Sequence, residues 1–276
     1  MLKIDSHQHF WIFDPVRDSW INDQMLAIKR DFSPVDLLPV LQQYGIDGCV
    51  SVQASQTDDE TMFLLDHAAA NPFVKGVVGW VNLKADNLDE QLQQYKKYDK
   101  LKGFRHVLQS EADDQYMLQP AFQKGIGMLE KYEYTYDILI FPQHLPFANQ
   151  LAGNFPNQKF VVDHLAKPHI KDQQISDWKK DIEALAKHEN VSCKISGMLT
   201  EADWDNWKPE DFTPYLDVIF NAFGANRVMF GSDWPVCLVA GGYEGTMQVT
   251  QSYTSKLSVT EQEQFWGGNA ISFYNL

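Results

Sequence analysis

The sequence contains few cysteines, and they lie far apart along the chain. Cys49, Cys193 and Cys237 are the only three in 276 residues. A disulfide-stabilised secreted domain needs many more in a shorter chain, so a reducing compartment is favoured. No two cysteines stand at the CxxC spacing, which excludes zinc ribbons and thioredoxin-like redox sites.

Long apolar runs and a surplus of basic residues are also missing. No stretch approaches the roughly 18–20 apolar residues of a membrane span, and Met1–Asp5 carries an acid where a signal peptide needs an apolar run. The chain has 23 Lys and Arg against 37 Asp and Glu, a net charge of −14, which argues against phosphate-rich partners. We expect a cytoplasmic protein that binds a small molecule, not nucleic acid or a membrane. A homo-oligomer is left open.

The sequence has no GxGxxG or GxxxxGK motif, the usual sign of a nucleotide-binding sheet. It has instead eight short runs rich in β-branched residues, separated by segments of helical period. The predicted strands are Leu2–Ile4, Gly48–Val52, Gly76–Val81, Gly103–Val107, Thr135–Phe141, Phe160–Val162, Val191–Ile195 and Val228–Phe230. Strands interleaved with helices predict parallel pairing through crossovers. Eight of them favour a closed (β/α)8 TIM barrel, an α/β fold, as a single domain over residues 1–276.

Signals for helix ends lie between these strands. Ser33-Pro34 predicts the start of a helix that stops at Gly45, and residues 59–70 carry apolar side chains on one face. Three further starts are predicted: Ser176, Thr213-Pro214 with Gly224 as the stop, and a capping box over Thr260–Glu263.

Polar residues at the ends of the strands are the candidates for function, because a β/α barrel builds its site from strand C-termini and the loops that follow. The first strand leads into His7-Gln8-His9. Side chains two apart on a strand share a face, so the two imidazoles can form half of a divalent-metal site. The alternative is a pair of polar strand-end histidines that contact backbone.

Four other strands carry polar residues at or near their ends: Arg105-His106, Asp163-His164, Lys194 and Asp233. If its strand continues, Asp163 faces away from His164 and is a structural acceptor. Lys194 is either an interior lysine paired with an acid or an exposed side chain, and its small neighbours favour the interior. In a barrel these residues converge on one face.

Other histidines and tryptophans are weaker candidates. His67 and His188 are expected at the surface, and the roles of His106, His144 and His169 are left open. Four tryptophans in two long loops either form an apolar wall over a sugar-like ring or pack the loops onto the barrel. They are Trp11, Trp20, Trp204 and Trp207.

Six motifs are specific when taken together: His7-Gln8-His9, Lys102–Arg105, Val162–Pro168, Cys193–Gly197, Gly231–Pro235 and Gly268–Ala270. With them the sequence resembles the amidohydrolase superfamily from residue 4 to residue 276. It looks most similar to the sugar-lactonase branch of amidohydrolase-related TIM-barrel hydrolases. That branch includes L-fuconolactonases, L-rhamnonolactonases and, more distantly, 2-pyrone-4,6-dicarboxylate lactonases.

The resemblance implies a role for each matching position. His7 and His9 would hold at most one divalent metal, zinc or manganese, with Asp233 or His164 completing the shell. In metal-free members the two histidines contact the substrate carbonyl, so the metal can be dispensable. His164 would polarise the lactone carbonyl and Asp233 would activate water. The expected substrate-binding residues are Arg105, Gln53, Lys194 and Trp234.

Two departures from the superfamily pattern bear on the metal. Binuclear members carry a carboxylated lysine at the end of strand four, where this chain has Arg105-His106, which argues against a binuclear centre. Strand five offers Asp137, and His144 lies beyond Pro142, so the usual histidine ligand of that strand is in doubt.

The expected function is hydrolysis of a sugar-acid lactone by attack of water on the carbonyl, with Asp233 as general base. Two alternatives stay open: a decarboxylase of the same superfamily that acts on a small carboxylic acid, and a catalytically inactive barrel that binds a sugar acid. A poised base beside His164 argues against the inactive barrel, because a binding protein does not need one.

Overall fold

Eight parallel strands form the centre of the protein, as a computed structural model of residues 1–276 shows. The strands are β1 (Ile4–Gln8), β2 (Gly48–Val52), β3 (Val74–Gly79), β4 (Leu101–His106), β5 (Thr135–Ile138), β6 (Phe160–Val162), β7 (Val191–Ile195) and β8 (Val228–Phe230). Each strand pairs with the next along the chain, in the order β1 to β8. The predicted single-domain (β/α)8 barrel is therefore confirmed.

The barrel closes between β1 and the segment that follows β8. Gln8 forms a parallel bridge with Trp234, the His9 N–H donates to the Trp234 carbonyl at 2.7 Å, and the Asp233 N–H donates to the His7 carbonyl at 2.8 Å. This closure places the histidines of the first strand next to Asp233, although more than 200 residues separate them in sequence.

Ten α-helices surround the sheet: α1 (Pro34–Tyr44), α2 (Asp58–Ala70), α3 (Leu88–Tyr95), α4 (Pro120–Lys131), α5 (Leu145–Asn154), α6 (Ser176–Leu185), α7 (Pro209–Phe223), α8 (Gly242–Thr254), α9 (Val259–Glu263) and α10 (Asn269–Tyr274). Helix α1 follows Ser33 and ends at Gly45 in the left-handed conformation, as predicted. No helix is both long enough and apolar enough to cross a bilayer.

Two predicted helix starts were wrong. Helix α7 begins at Pro209, not at Thr213-Pro214, and at its start the Asp211 carboxylate accepts the Lys208 N–H at 2.8 Å. The last capping box joins Ser258 and Glu261, not Thr260 and Glu263. Helix α6 begins at Ser176, as predicted.

Four predicted strands were also misplaced at their ends; one of them is β4, which spans Leu101–His106, not Gly103–Val107. Strand β1 is Ile4–Gln8, not Leu2–Ile4, because its polar residues are buried inside the barrel, where an apolar pattern cannot reveal them. Strand β3 begins at Val74, and β5 ends at Ile138, three residues before Phe141.

The core has two parts. A large apolar cluster lies between the sheet and the helices, and a small one fills the barrel interior with residues such as Ile4, Val50 and Met229. The last helix supplies Ala270 and Tyr274 to this second cluster. The C-terminal helix therefore plugs the barrel at the end opposite the strand C-termini.

Gly103 tests how tightly β4 and β5 pack. A Cβ there would lie 2.1 Å from Thr135 Oγ1 and 2.6 Å from the Thr135 carbonyl oxygen, and the backbone atom cannot rotate away. We expect Gly103→Ala to lower the free energy of unfolding by about 1–3 kcal/mol, as overpacking does, in urea denaturation. Gly127→Ala in α4 is the control, since its Cβ would meet one carbon at 3.5 Å and alanine favours a helix. Equal effects of the two variants would contradict this packing.

Candidate active site

Three imidazoles face one carboxylate oxygen at the C-terminal ends of the strands. The Nε2 atoms of His9, His7 and His164 lie 3.3, 3.9 and 3.9 Å from Asp233 Oδ1. The Nε2 atoms of His7 and His9 are 3.2 Å apart. All four side chains are almost fully buried. The structure thus brings together His7, His9, His164 and Asp233, which the sequence places at the ends of three strands.

The orientation of His9 follows from one hydrogen bond. Its Nδ1 lies 2.7 Å from the Val52 carbonyl oxygen, and since a carbonyl only accepts, Nδ1 carries the proton. In the neutral ring the lone pair of Nε2 then points at Asp233 Oδ1. Imidazole nitrogens and a carboxylate oxygen therefore meet at this point. A bound cation or a shared proton stabilises such a group of atoms.

His164 stands at the start of a left-handed turn. Residues 164–167 have φ values of 55°, 56°, 58° and 51°, a conformation that costs about 1–2 kcal/mol per L-residue. Because the chain leaves the strand after Val162, both Asp163 and His164 turn into the barrel. Asp163 was expected to face away from His164 only if the strand continued, and it does not; the expected role of Asp163 as a structural acceptor agrees with its contacts to Arg105 and Lys194.

Packing holds this strained turn in place. The Trp178 indole N–H donates to the Leu165 carbonyl at 2.7 Å, and His164 Nδ1 lies 2.9 Å from Ser196 Oγ. Gly197, with φ of 60°, presses against the His164 ring, since an added Cβ would lie 2.5 Å from Nδ1. The glycine and serine after β7 thus fix the position of an imidazole after β6.

Burial and charge set the protonation states of the site. Burial raises the pKa of Asp233, but its contacts with His164, His9 and His7 outweigh burial, and the net pKa is well below the usual range. Burial lowers the pKa of His164 to about 4 and that of His7 well below its ordinary value. At neutral pH the site therefore holds an ionised carboxylate between neutral His7 and His164 rings.

A buried ion cluster lies directly beneath His7. Asp163 Oδ2 accepts a hydrogen bond from Arg105 Nη1 at 3.0 Å. Asp163 Oδ1 lies 3.2 Å from His7 Nδ1 and 3.0 Å from Lys194 Nζ. Lys194 also donates to Asp137. This cluster forms the floor of the site.

The four expected substrate-binding residues have different surroundings. Arg105 and Gln53 bond to each other, through Nη2 to Gln53 Oε1 at 3.2 Å and Gln53 Nε2 to the Arg105 carbonyl at 3.2 Å. Trp234 packs edge-on against Phe10 and Phe32. Lys194 is fully buried in the floor, so it supports His7 from below and does not line the mouth.

The weaker candidates mostly lie outside the site. His106 bonds to Glu111 at 2.7 Å and His144 to Asp114 at 3.1 Å, while His169 is exposed. The indole N–H groups of Trp11, Trp204 and Trp207 donate to backbone carbonyls in the loops, and Trp20 is 46% exposed. Contrary to expectation, His67 is half-buried between the rings of Phe10 and Phe63, and His188 is half-buried with Nε2 3.0 Å from Asn149 Oδ1.

Sequence reasoning missed two further residues beside the site, Lys167 and Glu201. Lys167 Nζ lies 3.9 Å from Glu201 Oε1, and both side chains are partly exposed. Burial raises the pKa of Glu201, which Lys167 opposes and Asp233 reinforces. Lys167 belongs to the motif Val162–Pro168, and this motif could have identified it. Glu201 follows β7 in a loop without a motif, so no sequence pattern pointed to it.

The site suits one divalent metal. His7, His164 and Asp233 each offer a ligand atom, and these atoms lie within 4.8 Å of one another. The Nε2 atom of His9 adjoins them, so imidazole nitrogen and carboxylate oxygen form the donor set. Zinc and manganese both accept such donors.

Comparison with known proteins agrees with the motifs. The family model described as Amidohydrolase matches residues 4–276. Two L-fucono-1,5-lactonases, from Burkholderia multivorans and Burkholderia ambifaria, are 37% and 35% identical, over 100% and 99% of this chain and 96% of each relative. The crystal structure of an amidohydrolase from Burkholderia multivorans with bound Zn matches with a TM-score of 0.96 at 37% identity, covering 100% of both chains.

Gly197 tests whether the packing behind His164 matters for activity. We expect Gly197→Ala to displace the imidazole and to lower kcat about 100-fold, the scale of a 1 Å misplacement, in a steady-state assay with the lactone for which the two relatives are named. Gly45→Ala is the matched control: Gly45 has φ of 65° but open space around it, so the variant pays the same backbone strain far from the site. Full activity of a folded Gly197→Ala variant would contradict the packing argument.

Proposed function

The chain belongs to the amidohydrolase family, and from this premise we propose that it is a hydrolase that opens the ring of a sugar-acid lactone. Two observations support the proposal. The two L-fucono-1,5-lactonases match nearly their whole length, which makes L-fucono-1,5-lactone the first substrate to test. The observation that carries it is the ionised Asp233 carboxylate among the imidazoles of His7, His9 and His164.

Lactone hydrolysis needs a base for water, an electrophile at the carbonyl oxygen and a proton for the leaving alkoxide. Asp233 takes the proton from a water molecule that attacks the carbonyl carbon. As the tetrahedral intermediate collapses, the C–O bond of the ring breaks, and Asp233 returns the proton to the ring oxygen. The product is a hydroxy acid on one open chain, and its new carboxylic acid group then releases a proton to solvent, which leaves the carboxylate.

His164 is the residue that faces the carbonyl oxygen in this proposal. Its Nε2 lies 3.9 Å from Asp233 Oδ1, a separation that leaves an oxygen atom in contact with both groups. The neighbouring Ser196 hydroxyl fixes the ring from the Nδ1 side at 2.9 Å. Donors held rigidly at the place where negative charge develops make a large contribution to catalysis.

We assign the metal-binding role to His7, His9 and Asp233, with His164 adjoining them. Bound zinc or manganese would polarise the carbonyl and lower the pKa of water. The chain would hold the metal with the imidazoles of His7 and His9 from one side of the barrel closure and with the Asp233 carboxylate from the other side. No serine nucleophile is needed for this chemistry.

Substrate recognition is assigned to Arg105 in the floor of the site and to the Lys167–Glu201 pair beside the site. Arg105 sits at the end of β4 beside Gln53, and its guanidinium suits an oxygen of the sugar acid. Lys167 and Glu201 face each other at 3.9 Å, a distance at which neither satisfies the other fully. We infer that a substrate hydroxyl bridges the pair, donating to the carboxylate and accepting from the ammonium. Trp234, packed behind Asp233, limits the access of bulk water.

Asp233→Asn is the decisive variant for this function. The amide keeps the shape of the side chain but cannot take a proton, so we expect kcat to fall at least about 100-fold, the low end for general acid–base groups. The measurement is proton release from a panel of sugar-acid lactones, beginning with L-fucono-1,5-lactone, in a pH-indicator assay.

Its control is Asp217→Asn, which removes a surface carboxylate paired with Lys256 and leaves the site untouched. Circular dichroism establishes that both variants are folded. If folded Asp233→Asn keeps most of the wild-type activity, or if the wild type opens no lactone of the panel, the proposal is wrong. Release of carbon dioxide from a small carboxylic acid would point to a decarboxylase instead.

A further inference from the structure

Lys194 is a fully buried lysine in the barrel interior, directly beneath His7. Its side chain is 0% exposed. Its Nζ donates to Asp137 and lies 3.0 Å from Asp163 Oδ1 and 3.1 Å from His7 Nδ1. The contact with His7 links Lys194 to the site, because the Nε2 atom of the same ring faces Asp233. Lys194 thus joins the floor of the site to one of its functional imidazoles.

Tyr274 approaches the same group from the other end of the barrel. It lies at the end of the C-terminal helix α10, and its ring is buried among the apolar residues that fill the barrel. Its hydroxyl lies 2.9 and 3.0 Å from the two oxygens of Asp137, to which it donates. A continuous set of contacts therefore runs from Tyr274 through Asp137 and Lys194 to His7.

Stability alone does not account for this arrangement. Charges buried in a barrel carry a desolvation cost, and well-packed apolar residues of similar size often replace buried ion pairs with no loss of stability. Here the charges are held in one geometry, because Asp137 contacts both Lys194 and the Tyr274 hydroxyl. A fixed ammonium and a fixed Asp163 carboxylate on the Nδ1 side hold the His7 ring so that Nε2 faces His9 and Asp233.

We propose that Tyr274 and Asp137 are positioning residues for the lactone-opening site and act through Lys194 on His7. The proposal rests on the proposed function for its kinetic readout. It gives the last helix of the chain a part in catalysis at the opposite end of the barrel. Partners that orient a functional histidine from behind are worth about 10–100-fold in activity.

Tyr274→Phe tests the proposal with the loss of a single oxygen atom. We expect kcat to fall about 10-fold while KM stays within twofold, because the His7 ring loses its fixed orientation and the mouth is unchanged. Tyr136→Phe is the matched control: Tyr136 is equally buried, adjoins Asp137 in β5, and its hydroxyl has no hydrogen-bond partner. It should keep wild-type kcat.

A double variant shows whether the effect passes through Lys194. Lys194→Met should lower kcat about 100-fold, and adding Tyr274→Phe should lower it no further, since residues of one network are not additive. If Lys194→Met does not fold, the single Tyr274→Phe variant decides. Wild-type kcat in folded Tyr274→Phe, or an equal loss in Tyr136→Phe, would overturn the proposal.

Histidine side-chain nitrogen NMR separates this proposal from the proposed function. In full-length protein labelled with ¹⁵N-histidine, the signals of His7 should shift in Tyr274→Phe and stay in place in Tyr136→Phe. This readout needs no substrate. If the wild type opens no lactone, the proposed function fails while the His7 signals still test the positioning, and an unshifted His7 signal in Tyr274→Phe would overturn it.

Discussion

The Asp163 carboxylate is the buried charge on which the interior of this barrel depends. Burial alone would raise its pKa, but Lys194, His7 and Arg105 together hold that pKa well below the usual range. Two of these partners make further contacts: Arg105 also bonds to Gln53, and His7 also reaches the site. Removing the carboxylate would leave the buried Arg105 guanidinium without a carboxylate partner and Lys194 with Asp137 alone, which is strongly destabilising. The charged floor and the site above it are therefore one unit.

Backbone geometry contributes the rest of the site. The left-handed turn at residues 164–167 is costly for L-residues, and it persists because the packing of Trp178 and Gly197 determines it. Asp233, with φ of 58°, lies in the same unusual region. Strained residues of this kind gather at functional sites held by a rigid surrounding structure. In this protein the barrel supplies that rigidity, and each strained segment carries a side chain of the site, His164 in one and Asp233 in the other.

The sequence revealed the barrel and the motif residues because strand spacing and motifs are local signals. His7, His9, His164 and Asp233 were expected at strand ends, and the structure brings them to one carboxylate oxygen. The floor could not be predicted, because Tyr274 and Asp137 meet through the barrel interior across 137 positions of sequence. Strand β1 was misplaced for a related reason: its polar residues are buried by partners that lie far away along the chain.

In the proposed mechanism water attacks the carbonyl carbon while Asp233 carries the proton, and the fate of the water oxygen tests this directly. The measurement is mass spectrometry of the product formed from a sugar-acid lactone in H₂¹⁸O, corrected for spontaneous opening. Attack at the carbonyl carbon predicts one ¹⁸O atom in the new carboxylate and none in the released hydroxyl. Label in the hydroxyl group, which requires attack at the ring carbon, or a product without a carboxylate, would contradict it.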